Sequence, residues 1–140
     1  MSKLGYKITS LIICDDIRRE ASGKEILIGV YSKDIIVKDI PTRLPQLSFR
    51  ISVALEHANF KKMRFSLSSP SRQTLVYQES DIRVRRVDLP LIVGLTFSLP
   101  AFEEAGLYSV KFGLDSPARK VGEFSVRLPE SEAERARLVG

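Results

Sequence analysis

"LSFRISVALE", residues 47–56, places Leu47, Phe49, Ile51, Val53 and Leu55 at alternate positions, with Ser48, Arg50, Ser52, Ala54 and Glu56 between them. An extended chain points successive side chains to opposite faces, so this stretch is a strand with one face on a core. The same period of two recurs along the chain. "MRFSLS" (63–68) supplies Met63, Phe65 and Leu67, and "LIVGLTFSL" (91–99) supplies Leu91, Val93, Leu95, Phe97 and Leu99. "YSVKFGL" (108–114) supplies Tyr108, Val110, Phe112 and Leu114, and "FSVRL" (124–128) supplies Phe124, Val126 and Leu128. "YKITSLIIC" (6–14) and "EILIGVY" (25–31) are apolar on both parities, the pattern of central, well-covered strands. "TLVYQ" (74–78) and "IRVRRV" (82–87) read as shorter strands.

Turn formers separate these runs: Ser22 with Gly23, Pro41 and Pro45, Ser69 to Ser71 around Pro70, Pro100, Gly106, and Asp115 to Pro117. Strands spaced by roughly 8–12 residues, with no long helical pattern among them, predict an all-β fold. The expected form is an antiparallel β-sandwich of immunoglobulin-like type, with a closed β-barrel as the alternative. Common parity gathers Phe49, Ile51, Val53, Phe65, Val93, Leu95, Phe97, Val110, Phe112, Phe124 and Val126 into one interior. A chain of 140 residues suits one such core. The sandwich is expected over 1–128. Residues 129–140, "PESEAERARLVG", form a tail in which Ser131 and Glu134 have the spacing of a capping box, so a short helix is expected there.

No apolar run approaches the ~20 residues that cross a bilayer as a helix. The apolar segment near the start runs into Asp15 and Asp16 rather than a small-residue cleavage site, so no signal peptide is read. A single cysteine makes no internal disulfide, which fits a cytoplasmic location. The net charge of +5 is spread along the chain, without a long basic run. Such a balance suits a solvated surface with weak attraction for acidic partners or nucleic acid.

Chemistry-bearing residues concentrate in "CDDIRREASGKEILIGVY", residues 14–31. Here "DDIRREASGK" reads as a polar connection between a strand ending at Cys14 and one beginning near Glu25, with Asp15 and Asp16 capping turn amides or pairing with Arg18 and Arg19. Cys14 continues the even positions Tyr6, Ile8 and Ile12, which aims its thiol at the core. The rival reading is a calcium site on Asp15 and Asp16, completed from Asp34, Asp39, Asp81, Asp88 or Asp115. Calcium takes about six to eight oxygens, and Arg18 and Arg19 beside the pair oppose a divalent cation. Cys14 and His57 are the chain's only cysteine and histidine, too few for a zinc site and enough only for a thiol–imidazole pair. Glu79 with Asp81, and Glu103 with Glu104, are the carboxylate pairs available for acid–base work. Arg64, Arg83, Arg85 and Arg86 define a surface for phosphates, yet the phenylalanines fall on the apolar parity and none is left for base stacking.

The residues Cys14, Asp15, Asp16, Ile17, Arg18 and Glu20, then Gly23 and Lys24, then Leu27, Ile28, Gly29 and Tyr31, carry a resemblance. The pattern "CDDIRRE", "GK", "LIGVY" resembles the N-terminal signature of an uncharacterised family of bacterial β-sandwich domains. The match covers about the first 45 residues, and "GLYSVKFGLD" with "FSV" is similar to the last hairpin of many immunoglobulin-like domains. The resemblance implies a bacterial or phage origin and a sandwich fold, and it brings no catalytic residue.

A strong sandwich pattern without a catalytic constellation predicts a non-enzymatic protein-binding or assembly module. It would need no cofactor or membrane, and its partner would be another protein or a second copy. The alternatives are a basic-surface nucleic-acid binder and an enzyme built on Cys14 and His57 or on loop carboxylates.

Overall fold

In the computed structural model, which describes residues 4–138, strands account for nearly all regular structure. In chain order they are β1 (Tyr6–Arg19), β2 (Glu25–Val30), β3 (Asp34–Ile36), β4 (Thr42–Arg43), β5 (Gln46–Leu55), β6 (Lys62–Ser68), β7 (Thr74–Asp81), β8 (Leu91–Ser98), β9 (Ala101–Phe102), β10 (Gly106–Leu114) and β11 (Arg119–Arg127). A short helix, α1 (Glu132–Arg137), follows. One sheet has the order β2-β1-β5-β8 and the other β3-β11-β10-β6-β7, while β4 and β9 pair in a small third ladder. Both large sheets are open and face one another as an immunoglobulin-like sandwich. The barrel alternative is therefore not formed.

The alternation that begins in β5 builds the interior. Phe49 of one sheet lies 5.0 Å from Phe65 and 6.2 Å from Phe124 of the other, ring centre to ring centre. Tyr108 stacks on Phe124 at 5.6 Å, and its hydroxyl donates to the Glu104 carbonyl at 2.6 Å, so the buried phenol is satisfied. Ten of the eleven residues expected in the core are buried. The exception is Phe97, which is half-buried at an open side of the sandwich. Leu99 and Leu128 are exposed, because each lies just past the end of its strand, where the period no longer applies.

Four expectations need correction. The stretch 25–31 was expected to be central, whereas β2 is an edge strand with Ile26, Ile28 and Val30 exposed. The stretch 82–87 is not a strand: the β6–β7 ladder ends at Lys62 opposite Asp81, and one further backbone bond, from the Ile82 N–H to the Lys61 carbonyl at 2.8 Å, closes it. Strands β3, β4 and β9 are too short to show a period, and β3 lies parallel to β11, so the sandwich is not wholly antiparallel.

The fourth concerns β1, which continues through the aspartates to Arg19. Its pairing with β5 slips by one residue between Ile8 and Ser10. Tyr6 and Ile8 oppose Leu55 and Val53 before the slip, while Leu11 and Ile13 oppose Ile51 and Phe49 after it. Such a bulge reverses which parity faces inward. Cys14 therefore falls opposite Ser48, on the sheet's outer face, and not in the core cluster.

The tail forms the expected helix over α1. Ser131 is its N-cap, with Oγ accepting from the Glu134 N–H at 3.1 Å, and the Glu134 carboxylate accepts from the Glu130 N–H at 2.8 Å. Residues 139–140 of the expected tail, like residues 1–3 of the expected sandwich span, lie outside the described residues.

Candidate binding surface on the β1–β2 arm

Strand β1 stays beside β5 only as far as Cys14, and from Asp16 to Arg19 it pairs with β2 alone. The resulting two-stranded arm folds across the outer face of its own sheet. Two contacts place it there. Glu25 bridges Arg50 of β5 at 3.0 Å, and Ile17 Cδ1 lies 3.5 Å from the position a Cβ would take on Gly94 of β8. Arg50 and Gly94 are cross-strand partners on the face opposite Phe49.

A polar knot holds the crease. The Tyr31 hydroxyl donates to Asp15 Oδ1 at 2.5 Å. The Gln46 amide donates to the Asp15 carbonyl at 3.1 Å and to Asp16 Oδ1 at 2.7 Å, and Asp16 also takes Arg18 Nε at 2.9 Å. Gly29 has φ of +67°, and a Cβ there would collide with the Asp15 carboxylate. The hydrogen bond from Arg18, with help from Gln46, holds the Asp16 carboxyl below its ordinary range, whereas burial and then Asp15 push the Tyr31 phenol up. Asp15 and Asp16 thus stand in a strand, occupied with Tyr31, Arg18 and Gln46, rather than in a turn.

Cys14 sits under this crease with no exposed surface, its Sγ donating to the Asp16 carbonyl at 3.4 Å. Burial first, and then the negative charge of Asp15 and Asp16, raise its thiol. His57 is at the other end of β1: it stacks on Phe60 at 4.3 Å and lies beside Gly5. Eight residues of strand, Tyr6 to Ile13, lie between Gly5 and Cys14, a span on the order of 25–30 Å. The structure does not bring the thiol and the imidazole together.

The remaining candidates are similarly dispersed. Asp34 holds Ser125 and Arg127, Asp88 holds Arg86, and Asp115 accepts the Lys61 and Lys62 amides. Among the described residues no three His, Cys, Asp or Glu side chains gather as a metal site. Glu79 is engaged by Lys62, Arg64 and Tyr77, and Glu104 ties down Ser71. Of the four arginines proposed for phosphate, Arg64 is held by Glu79 and the Ser116 carbonyl, and Arg86 by Asp88. Arg83 and Arg85 are exposed on the segment after β7.

What the sequence reading missed is the outward face of β2. Ile26, Ile28 and Val30 are 42, 39 and 58% exposed, in a row on a strand paired on one side only. Glu25, Leu27 and Gly29 alternate with them, so a period of two was present. Leu27 made the stretch look apolar on both parities and masked it.

A family model described as a family of unknown function, DUF6941, matches residues 9–127. This agrees with the sequence resemblance at the level of an uncharacterised family. No sequence among curated proteins matches. Among solved structures, an immunoglobulin-like protein from Pseudomonas aeruginosa is 12% identical, with a TM-score of 0.41, 89% of this chain covered and 96% of that one. A β-glucosidase from Listeria innocua, solved with isofagomine, is 13% identical at a TM-score of 0.41, with 87% of this chain covered and 16% of that one. A β-D-glucoside glucohydrolase from Trichoderma reesei is 9% identical at 0.41, with 90% of this chain covered and 19% of that one. The chain thus spans less than a fifth of either glycosidase. Likenesses this distant carry no functional argument.

Proposed function

Because the chain belongs to DUF6941, a family of unknown function, membership brings no activity with it, and we propose that this is a non-enzymatic module that binds a protein partner along edge strand β2. The observation that carries the reading is the row Ile26, Ile28 and Val30 on a one-sided strand. An edge strand offers unpaired backbone groups to an incoming strand, and exposed apolar side chains two residues apart supply the pockets and area for specificity. Natural edges are usually blunted by charge, and here the exposed row is apolar over its length. The knot at Asp15, Gly29 and Tyr31 supports the same reading, since it holds the arm in one position and lowers the ordering cost of docking.

The test substitutes Ile28→Lys on the arm and, as a control, Leu107→Lys, an exposed position on the other sheet. Both side chains are exposed, so both variants should melt within a few degrees of the parent. Cross-linking in a host lysate should capture a defined protein with the parent and the control and lose it with Ile28→Lys. Light scattering of the purified chain reports whether that partner is a second copy. Equal capture by all three would end the edge-strand reading.

A further inference from the structure

The four-stranded sheet has β8 as its other edge, and the facing sheet ends in β7. Between them a cavity of about 310 Å³ opens on the side where Phe97 is half-buried. Leu67 and Phe102 form its buried floor, and Leu75 and Leu99 form exposed walls. Leu99 is held in an unusual conformation to do so: its φ is +51°, a region costly for leucine. Its N–H donates to the Pro45 carbonyl at 3.0 Å, and its own carbonyl accepts from Arg43 Nη1 at 2.9 Å. Arg43 stands at the rim. A guanidinium has five N–H donors, and this one makes no ion pair among the described residues.

An apolar hollow at the small end of ligand-pocket sizes, with a guanidinium at its mouth that has no carboxylate partner among the described residues, selects for a ligand of matching polarity. We infer that this cavity binds an aliphatic carboxylate, with its hydrocarbon chain on Leu67, Phe97 and Leu99 and its head group on Arg43. The site is separate from the β2 surface, at the opposite edge of the same sheet. Two physical signatures follow. Each methylene that enters the cavity should tighten binding by up to about fourfold, until the hollow is full. The charge-assisted contact to Arg43 should favour a carboxylate over an alcohol of equal length by about tenfold or more.

The experiment titrates the isotopically labelled full chain with butanoate, hexanoate, octanoate and octanol, following backbone amides by NMR. Saturable shifts at Leu75 and Leu99, affinity rising with chain length, and a preference for octanoate over octanol are the expected result. Arg43→Gln should abolish the preference. Leu75→Asp, at an exposed wall position, should weaken octanoate by about tenfold or more at an unchanged melting temperature, and it serves if the arginine variant folds poorly. Shifts that do not saturate, affinity independent of chain length, or octanol binding as well as octanoate to the parent chain would each overturn the assignment.

Discussion

Gly29 and Asp15 occupy one another's space: the carboxylate fills the volume where any other residue would carry its Cβ. With φ at +67°, an alanine there meets both a steric conflict and an unfavourable backbone. Gly29→Ala is expected to cost about 1–3 kcal/mol, the scale of a strained backbone position. It should also loosen the crease that covers Cys14. In the parent, a fully buried thiol with a raised pKa holds little thiolate at neutral pH and should react slowly with a thiol reagent. In Gly29→Ala the native-state labelling rate should rise tenfold or more, while the denatured chains label alike. Equal native rates would mean that the thiol's protection does not depend on the Asp15 knot. This also explains the cluster in 14–31. Its aspartates and cysteine shape an arm, and their proximity in sequence reflects one crease rather than one reaction.

Among the elements, α1 depends most on charge. None of its residues is buried, and a helix of six residues does not persist alone. Arg127 of β11 supplies the anchor, gripping Glu134 through two nitrogens at 3.0 and 2.8 Å and Asp34 of β3 at 3.1 Å. Arg127, and then the Glu130 amide, bring the Glu134 carboxyl down from 4.5 to about 2. A carboxyl with a lowered folded-state pKa stabilises the docked helix above its ordinary value, and that contribution disappears as pH falls from about 4.5 to about 2. On acidification, the Glu130 amide shift should therefore titrate with a midpoint near 2, and Glu134→Gln should remove the titration. A midpoint in the ordinary glutamate range would mean that Arg127 does not hold the tail. The Ser131–Glu134 spacing made this helix legible in sequence, because the cap is a local motif. The Arg127 grip was not legible, because its partners come from two other elements, β3 and α1. The same distinction separates β5 from β2: alternation survives inside one strand, whereas being central or at an edge depends on neighbours far away in the chain.

For the molecule as a whole, period-two alternation was enough to predict two facing sheets, since Phe49, Phe65, Phe112 and Phe124 each mark an inward parity on a different strand. The one-residue slip after Ile8 lay beyond that reading, because a bulge leaves the pattern intact on both sides while exchanging the faces. The consequence is that β5 is covered twice, by the opposite sheet over Phe49 and by the arm over Ser48, both of them fully buried. The two covers differ in kind. The inner one is a contact among rings, with Phe49 at 5.0 Å from Phe65 and 6.2 Å from Phe124 of the facing sheet. The outer one rests on a few polar contacts around a crease and on Ile17 against Gly94. Phe49→Ala should therefore cost about 3–5 kcal/mol, a large part of the roughly 5–15 kcal/mol that holds a domain together. Urea unfolding followed by far-ultraviolet circular dichroism should show the midpoint fall with the slope unchanged, because both sheets still unfold in one step. Ser48→Ala, beneath the arm, removes the 2.8 Å hydroxyl contact to Thr96 and should cost only about 0.5–1.5 kcal/mol. If the two variants cost the same, the interior shared by the two sheets is not what holds the molecule, and the division of β5 into a core face and an arm face fails with it.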